Sequence, residues 1–505
     1  MPEGPRSSGP RNYDPSDSQS ILAFGRKVNG LTARQICEKS GMEDPSARPG
    51  WKPTKSILGD VMEWYFGIPK NNSPEPDFPA AKVELKILPL KRKGTLLAVK
   101  EPTSISMIDY MTLLTEKWQT ATVRKKLNHL LFVFFAIQLD DLMASRVRAV
   151  VLWEPRPVDN AIFQSDWTRT WKLVDEGLAH QLSESQAEAL AARRKGMGGP
   201  SDRGRSQPKS PEVAKSRAWA LKSSFTRQIL DEWVMDKRYE SAFEQFLPEV
   251  RVSLLGHVEE RVLSSLGQFA GLRLDAIAER NGVELTGGKN LAASVVKRSL
   301  GFQSVNSRIR EFDQFGIDVK TLNLRMQDGY PFEAVSFPVV DLQELVKQGW
   351  EGEESADGEV MVEGSDLIGQ VHLILFVPTY SERRKTSQSS RILGKPFFWS
   401  PAPEQIDIIE REWKMYQKEV AEGKARYFVP EGRKGRRNSL TPASRTKVIH
   451  MRPHGRNAKD VYPDPLGNLV TKQCFWLNKE FVWKLVKDNG AFPPPVEADD
   501  RPETR

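Results

Sequence analysis

Asp77, Glu84 and Lys86 are spaced as Asp-x6-Glu-x-Lys, a set that could hold a hard cation and hydrolyse a phosphate ester. On a strand, alternation puts Glu84 and Lys86 on one face, and Asp77 enters from the preceding loop. Two carboxylates converging on one point repel unless a cation sits between them, and all-oxygen ligation with few protein ligands suits Mg2+. A lysine beside them can orient or help deprotonate an attacking water and screen charge on a phosphate oxygen. Glu63, on the helix before, can reach the same point. Such spacing also arises by chance in many proteins, so the context has to carry the argument.

The segment holding these residues is written twice. Thr54–Lys86 and Gly288–Lys320 align 234 positions apart without a gap, placing Val61 on Val295, Gly67 on Gly301 and Lys86 on Lys320. In the same register Glu63 becomes Lys297, Asp77 becomes Glu311 and Glu84 becomes Asp318. Further matches run in order on both sides, with offsets that shift as loops change length. Ile36 and Gly41 match Ile277 and Gly282; Trp153, Trp167 and Glu176-Gly177 match Trp399, Trp413 and Glu422-Gly423; Leu221 and Phe225 match Leu477 and Phe481. A collinear series anchored on tryptophans marks an internal duplication. A repeat that keeps its scaffold and alters its carboxylates implies one working centre and one that no longer works.

Length agrees, since 505 residues exceed the roughly 250–300 that one core usually supports. We expect a disordered lead over 1–17, a catalytic domain over 18–235, a second domain over 236–490 and a disordered tail over 491–505. The longest apolar run, Leu130–Ile137, reads as a buried strand and is far short of the roughly 18 residues that span a membrane. Cys37 and Cys474 are the only cysteines, which excludes a disulfide framework and zinc-ligand spacing and points to a cytoplasmic setting. The net charge of +8 makes an acidic polymer a plausible partner. Arg193, Arg194, Lys195, Arg203, Arg205, Lys209, Lys215 and Arg217 crowd one stretch late in the first half. Arg433, Lys434, Arg436, Arg437, Arg445 and Lys447 crowd another late in the second. Basic loops at equivalent places in a repeat favour phosphate contact.

Each half shows the same order of elements. A leading helix (Gln19–Lys27; Val252–Leu266) precedes a short one (Leu31–Ser40; Leu272–Asn281) and the repeated helix Ser56–Phe66 or Leu291–Leu300. Strands follow at Lys82–Leu88, Leu96–Val99, Leu130–Ile137 and Ala149–Leu152, with Phe332–Phe337, Val371–Phe376 and Lys447–Met451 as expected analogues. A long helix begins near Asp166 and near Gln405. Asp231–Phe246 reads as a helical connector. The pattern is mixed α/β.

The phrases GDVMEWYFG, PDFPAAKVELKILP, WQTATVRKKLNHLLFV, VLWEP and LKSSFT occur in order in the first half; FFWSP, DIIEREW, HMRPHGRNAK and FWLNKEF occur in the second. Together they resemble the MutH family of DNA endonucleases, in its two-half, Sau-three-AI type restriction-enzyme form. The resemblance implies two tandem restriction-endonuclease-like domains, each a mixed sheet flanked by helices, and Mg2+-dependent hydrolysis of double-stranded DNA at GATC. It places Glu63, Asp77 and Glu84 at metal positions and Lys86 and Lys126 at catalytic lysine positions. It also implies that Arg452, Pro453, Asn457 and Lys459 lie in a loop facing DNA, with a counterpart from Arg194 and Lys195 through Arg205. In the repair branch a tyrosine stands near the target adenine where this chain has Ala220 and Trp476, so the alanine implies tolerance of adenine methylation.

The second half departs from the pattern. Lys297 replaces the helix glutamate and Gln370 aligns with Lys126, while the acidic stretch Glu351–Glu363 would repel a phosphate backbone. The expected roles are therefore a cutting first half and a second half that binds DNA without cutting and acts allosterically. A DNA-dependent dimer and a companion methyltransferase in the same system would accompany such an enzyme. Two alternatives are a mismatch-repair nicking endonuclease, which resembles a single half, and a catalytically silent DNA-binding protein.

Overall fold

The computed structural model describes residues 12–51, 56–69, 73–93, 96–99, 101–138, 140–195, 204–235, 239–240, 254–283, 291–300, 308–354, 360–428, 438–457 and 459–492. The chain divides into two compact units, the first mainly within Met1–Arg238 and the second mainly within Leu255–Glu351 and Glu363–Arg505. Both are mixed α/β.

The first unit opens with α1 (Ser18–Arg26), α2 (Ala33–Ser40) and α3 (Ile57–Phe66). Asp17 caps α1 by accepting the N–H groups of Gln19 and Ser20, and Thr32 with Gln35 forms a capping box on α2. Tyr13 lies in the stretch expected to be a disordered lead. Instead it stacks on Phe24 and donates to the Phe66 carbonyl at 2.7 Å, so ordered chain begins ahead of residue 18. On α3, Ile57, Leu58, Val61, Met62, Tyr65 and Phe66 are buried, two positions per turn on one face. The helix stops at Gly67, whose φ of 73° is a left-handed conformation that a side chain would disfavour.

Next come β1 (Glu84–Lys93), β2 (Leu96–Val99), β3 (Thr103–Met107), α4 (Tyr110–Leu113), α5 (Thr122–Leu127), β4 (Leu130–Ala136) and β5 (Arg146–Trp153). The sheet order is β2-β1-β4-β5, with β1 and β4 parallel and the other two pairings antiparallel. Central β4 is covered on both faces and buried from Leu130 to Phe135, which is why its sequence is continuously apolar instead of alternating. Leu131, Val133 and Phe135 join the helical core of α1–α3. Phe132 and Phe134 point the other way, Phe132 meeting Trp153, which packs on Phe163 and Phe225.

The unit closes with α6 (Pro157–Asp175), β6 (Leu190–Arg194), a β7–β8 hairpin (Arg205–Gln207 and Ser210–Ala214), β9 (Arg217–Leu221) and α7 (Ser223–Trp233). A second, antiparallel sheet runs β3-β9-β6. α6 starts nine residues before the expected Asp166, because Pro157 suits the first helical turn and the Asp159 carboxylate accepts the Arg156 N–H and guanidinium, each at 2.9 Å. Of the expected connector, Asp231–Trp233 belong to α7, and most of the remainder lies outside the described residues.

The second unit repeats this plan. Ile317–Arg325 runs parallel to Leu373–Ser381, with Asp318 opposite Ile374 and Lys320 opposite Phe376, as Glu84 lies opposite Leu130 and Lys86 opposite Phe132. A second antiparallel sheet orders Val335–Val340, Gln473–Leu477 and Ile449–Pro453. The stretches Phe332–Phe337 and Lys447–Met451 therefore fall in or beside this second sheet and match β3 and β6. The true analogue of β1, Ile317–Arg325, was not named as a strand because Asp318, Lys320, Thr321 and Asn323 break its apolar pattern; Ile317, Leu322 and Leu324 alone are buried. Among the described residues no helix is long and apolar enough to cross a membrane.

Phe134 is fully buried, so Phe134→Ala should lower unfolding free energy by about 3–5 kcal/mol. Urea denaturation of the two proteins checks this.

Candidate active site

Three elements converge on Glu84. The parallel register of β1 and β4 starts with the Glu84 N–H donating to the His129 carbonyl at 2.9 Å, so the last turn of α5 lies beside the head of β1. Lys126 sits on that turn. Alternation puts Lys86 on the Glu84 face. Glu84 is 2% exposed; its Oε1 takes Lys86 Nζ at 2.9 Å and Lys126 Nζ at 3.2 Å. Its Oε2 is buried with no hydrogen-bond partner among the described residues.

Asp77 arrives through a tight loop. Phe78 and Val83 exchange backbone hydrogen bonds at 2.9 and 3.2 Å, and Lys82 adopts a φ of 56°, uncommon for a residue with a side chain. The turn folds Asp77 back onto β1, where its Oδ2 accepts the Leu85 N–H at 2.9 Å. Burial, then the negative charge of Glu84, push its carboxyl above the usual range, against the pull of Lys86, the Leu85 N–H and Lys126. An orphaned oxygen on Glu84 beside a carboxyl whose charged form is disfavoured by that neighbour fits a divalent cation held by oxygen ligands. Among the described residues no three His, Cys, Asp or Glu side chains gather as a metal set. Glu63 lies half-buried on α3.

The same register in the second unit yields a different site. Lys320 Nζ pairs with Asp318 Oδ2 at 2.8 Å, but the Asp318 side chain is 41% exposed against 3% for Glu84. Gln370 ends the helix Asp366–Gln370, as Lys126 lies in the last turn of α5, and Lys297 lies in the last turn of Leu291–Ser299. Glu311 is buried on a short helix, Arg310–Phe315, instead of entering from a loop as Asp77 does.

The DNA-facing expectations need one correction. Leu190 pairs with Leu221 as Ile449 pairs with Leu477. Counting along both strands, Arg193 is the counterpart of Arg452, and Arg194 that of Pro453. Arg193 is 1% exposed; it donates to the Pro102 carbonyl at 2.6 Å and lies 3.9 Å from Glu101 and 4.0 Å from Glu184. Arg217 is buried too, donating to the Ala192 carbonyl. Both belong to the internal structure and not to a phosphate-contacting surface. Arg194 ends β6 half-buried, while the Lys195 N–H and the Arg205 guanidinium both reach Ser216. In the second unit Arg452 is exposed, its guanidinium 3.8 Å over the Trp476 ring, with His454 at the ring's edge. Pro453, Asn457 and Lys459 are exposed beside it. Asn457 Oδ1 accepts the Lys459 N–H at 2.8 Å, and a side chain at Gly455 would meet the Asn457 and Asp460 carbonyls at 3.1 Å, so the loop is tightly wound. Arg203, Ala458 and residues 433–437 lie outside the described residues, as do 355–359 of the acidic stretch.

Comparison with known proteins gives the same plan. The family profile of the DNA mismatch repair enzyme MutH matches residues 66–166 and again 300–412. The chain is 26% identical over 475 residues to the type II restriction enzyme Sau3AI of Staphylococcus aureus, covering 86% of this chain and 93% of that protein. It is 27% identical over 219 residues to the DNA mismatch repair protein MutH of Vibrio campbellii, covering 43% of this chain and 94% of that one.

Ala220 is fully buried on β9 between Ser104 and Ala191, so it does not offer the open pocket implied for a methyl group. Ala220→Tyr should overpack the sheet and lower stability by about 1–3 kcal/mol; a thermal melt at or above the parent's would refute this.

Proposed function

We propose that this chain, a MutH-like nuclease carrying that domain's plan twice, is a type II restriction endonuclease that hydrolyses double-stranded DNA at GATC with Mg2+. The observation that carries the reading is the buried Glu84 carboxylate, with one oxygen between two lysines and the other unpartnered beside Asp77. Asp77 and Glu84 would hold the Mg2+, which when bound neutralises phosphate charge and acidifies a water. Lys86, on the Glu84 face, orients the attacking water. Lys126, placed by the end of α5, offsets charge building on the phosphate. Glu84 fixes both ammonium groups in position before substrate arrives. Glu63 is assigned no step.

The second unit is proposed as a DNA-binding, allosteric copy that reads DNA through Arg452, Pro453, Asn457 and Lys459 and does not cut. An exposed guanidinium stacked on an indole can fork to a guanine edge, and a lysine can meet phosphate. The restriction form is favoured over the nicking form because the likeness to the two-half enzyme runs through both units, whereas the repair protein matches one half-length. Assembly of two chains on DNA, a companion methyltransferase and a cytoplasmic setting belong to this reading. Two buried free cysteines agree with a reducing compartment.

Digestion of plasmids with one or two GATC sites, with Mg2+, tests it. Asp77→Ala, Glu84→Ala and Lys86→Ala should each slow cleavage by about a thousandfold or more while DNA binding persists. Lys297→Ala and Glu311→Ala should change it by less than about tenfold. Two-site plasmids should be cut faster than one-site plasmids, reflecting coupling between the units. Nicks alone would favour the repair form, and bound but uncut DNA the silent form.

A further inference from the structure

We infer that Asp166 and Glu412 are positioning residues: each carboxylate sets the register of the strand that leads to the DNA-facing residues, so sequence discrimination depends on them. This rests on the DNA-cleaving reading above.

Asp166 lies on α6 and is 1% exposed. Its Oδ1 accepts the Glu188 N–H at 2.8 Å, and its Oδ2 accepts those of Ala189 and Leu190, each at 2.8 Å. Glu412 lies on the matching helix Pro403–Ala421. It accepts the N–H groups of Lys447, Val448 and Ile449, the last two at 3.1 and 2.8 Å. Because Leu190 and Ile449 occupy the same place in their sheets, the two carboxylates take the same three backbone positions. A second brace is duplicated as well. The Lys222 N–H donates to the Ala189 carbonyl at 2.9 Å and its Nζ to the Ala187 carbonyl at 3.0 Å. Asn478 repeats both contacts, with its N–H on Val448 and its Nδ2 on Thr446, each at 2.8 Å.

The catalytic carboxylates diverged between the halves, but this clamp survived even where the residues changed from Asp to Glu and from Lys to Asn. Hydrogen bonds to an ionised carboxylate are roughly twice as strong as neutral ones. Three on consecutive N–H groups lock the strand's phase, and a slip of one residue would turn every side chain to the opposite face. Beyond the clamp the first strand leads to the half-buried Arg194 and Lys195, and the second to the exposed Arg452 and Pro453. In the first unit Arg169 reaches Asp166 at 3.3 Å and Glu188 at 3.5 Å. Asp166 lacks the freedom of a surface acid: burial, then Glu188, push its carboxyl up to about 6.

The test uses the full chain. Cleavage rates with Mg2+ are measured on a GATC duplex and on one with a single base pair changed, alongside thermal midpoints. Asp166→Asn should shrink the ratio of the two rates by about tenfold or more, the scale of one lost base contact. Asp166→Glu, the acid used by the other half, should restore it to within about threefold. Both rates falling together with the ratio intact would reduce Asp166 to a folding role and overturn the inference. A parent protein without preference for GATC would instead remove the functional reading, and the inference with it. If Asp166→Asn does not fold, Glu412→Gln asks the same of binding. It should weaken the preference for the GATC duplex while affinity for the altered duplex persists, and an unchanged preference would overturn the inference.

Discussion

A carboxylate buried at the head of a parallel strand pair is the constraint on which the site depends. An ionised group so far from water is disfavoured by several kcal/mol unless other charges meet it. Here Lys86 and Lys126 meet one oxygen of Glu84, and the second oxygen has no hydrogen-bond partner among the described residues. The arrangement holds because β1 and β4 pair in parallel with Glu84 opposite Leu130, and because central β4 is buried on both faces. Sliding that pair by one residue would turn Glu84 and Lys86 into the helical core.

The second unit shows what remains when that constraint is relaxed. Its strands keep the same parallel register, yet its acid is shorter and open to water, and the lysine from the neighbouring helix has become Gln370. Its second sheet diverged as well. Arg193 is buried against the Pro102 carbonyl, whereas Arg452 stands out over Trp476. An indole gives the second guanidinium a platform, and the first unit has Ala220 at the place of that indole.

Much of this was legible in the sequence. The Asp-x6-Glu-x-Lys spacing and strand alternation placed Asp77, Glu84 and Lys86 together, and the gapless repeat set Asp318 and Lys320 at the positions of Glu84 and Lys86. Lys126 came from resemblance alone, because its approach depends on strand pairing 42 residues apart in the chain. Glu63 is expected at the same point from its place on the preceding helix, and it lies half-buried on α3. The match of Arg193 to Arg452 was missed because the loops that follow differ in length, so no constant offset runs through them and only the sheet pairing fixes the count. Burial of Arg193 and Arg217 could not be read either, since a basic residue in a basic stretch looks solvated until its carbonyl and carboxylate partners are known. The acids Asp166 and Glu412 sit at the same offset as the matched tryptophans, and that signal could have found them.

The central claim is one metal-binding centre, in the first unit. Mn2+, used in place of Mg2+ for its paramagnetism, can be titrated into the protein and followed by electron paramagnetic resonance. The account predicts that Glu84→Gln weakens Mn2+ binding by about tenfold or more, whereas Asp318→Asn leaves it within about twofold. Equal binding by the parent and Glu84→Gln, or loss of binding in Asp318→Asn, would contradict it.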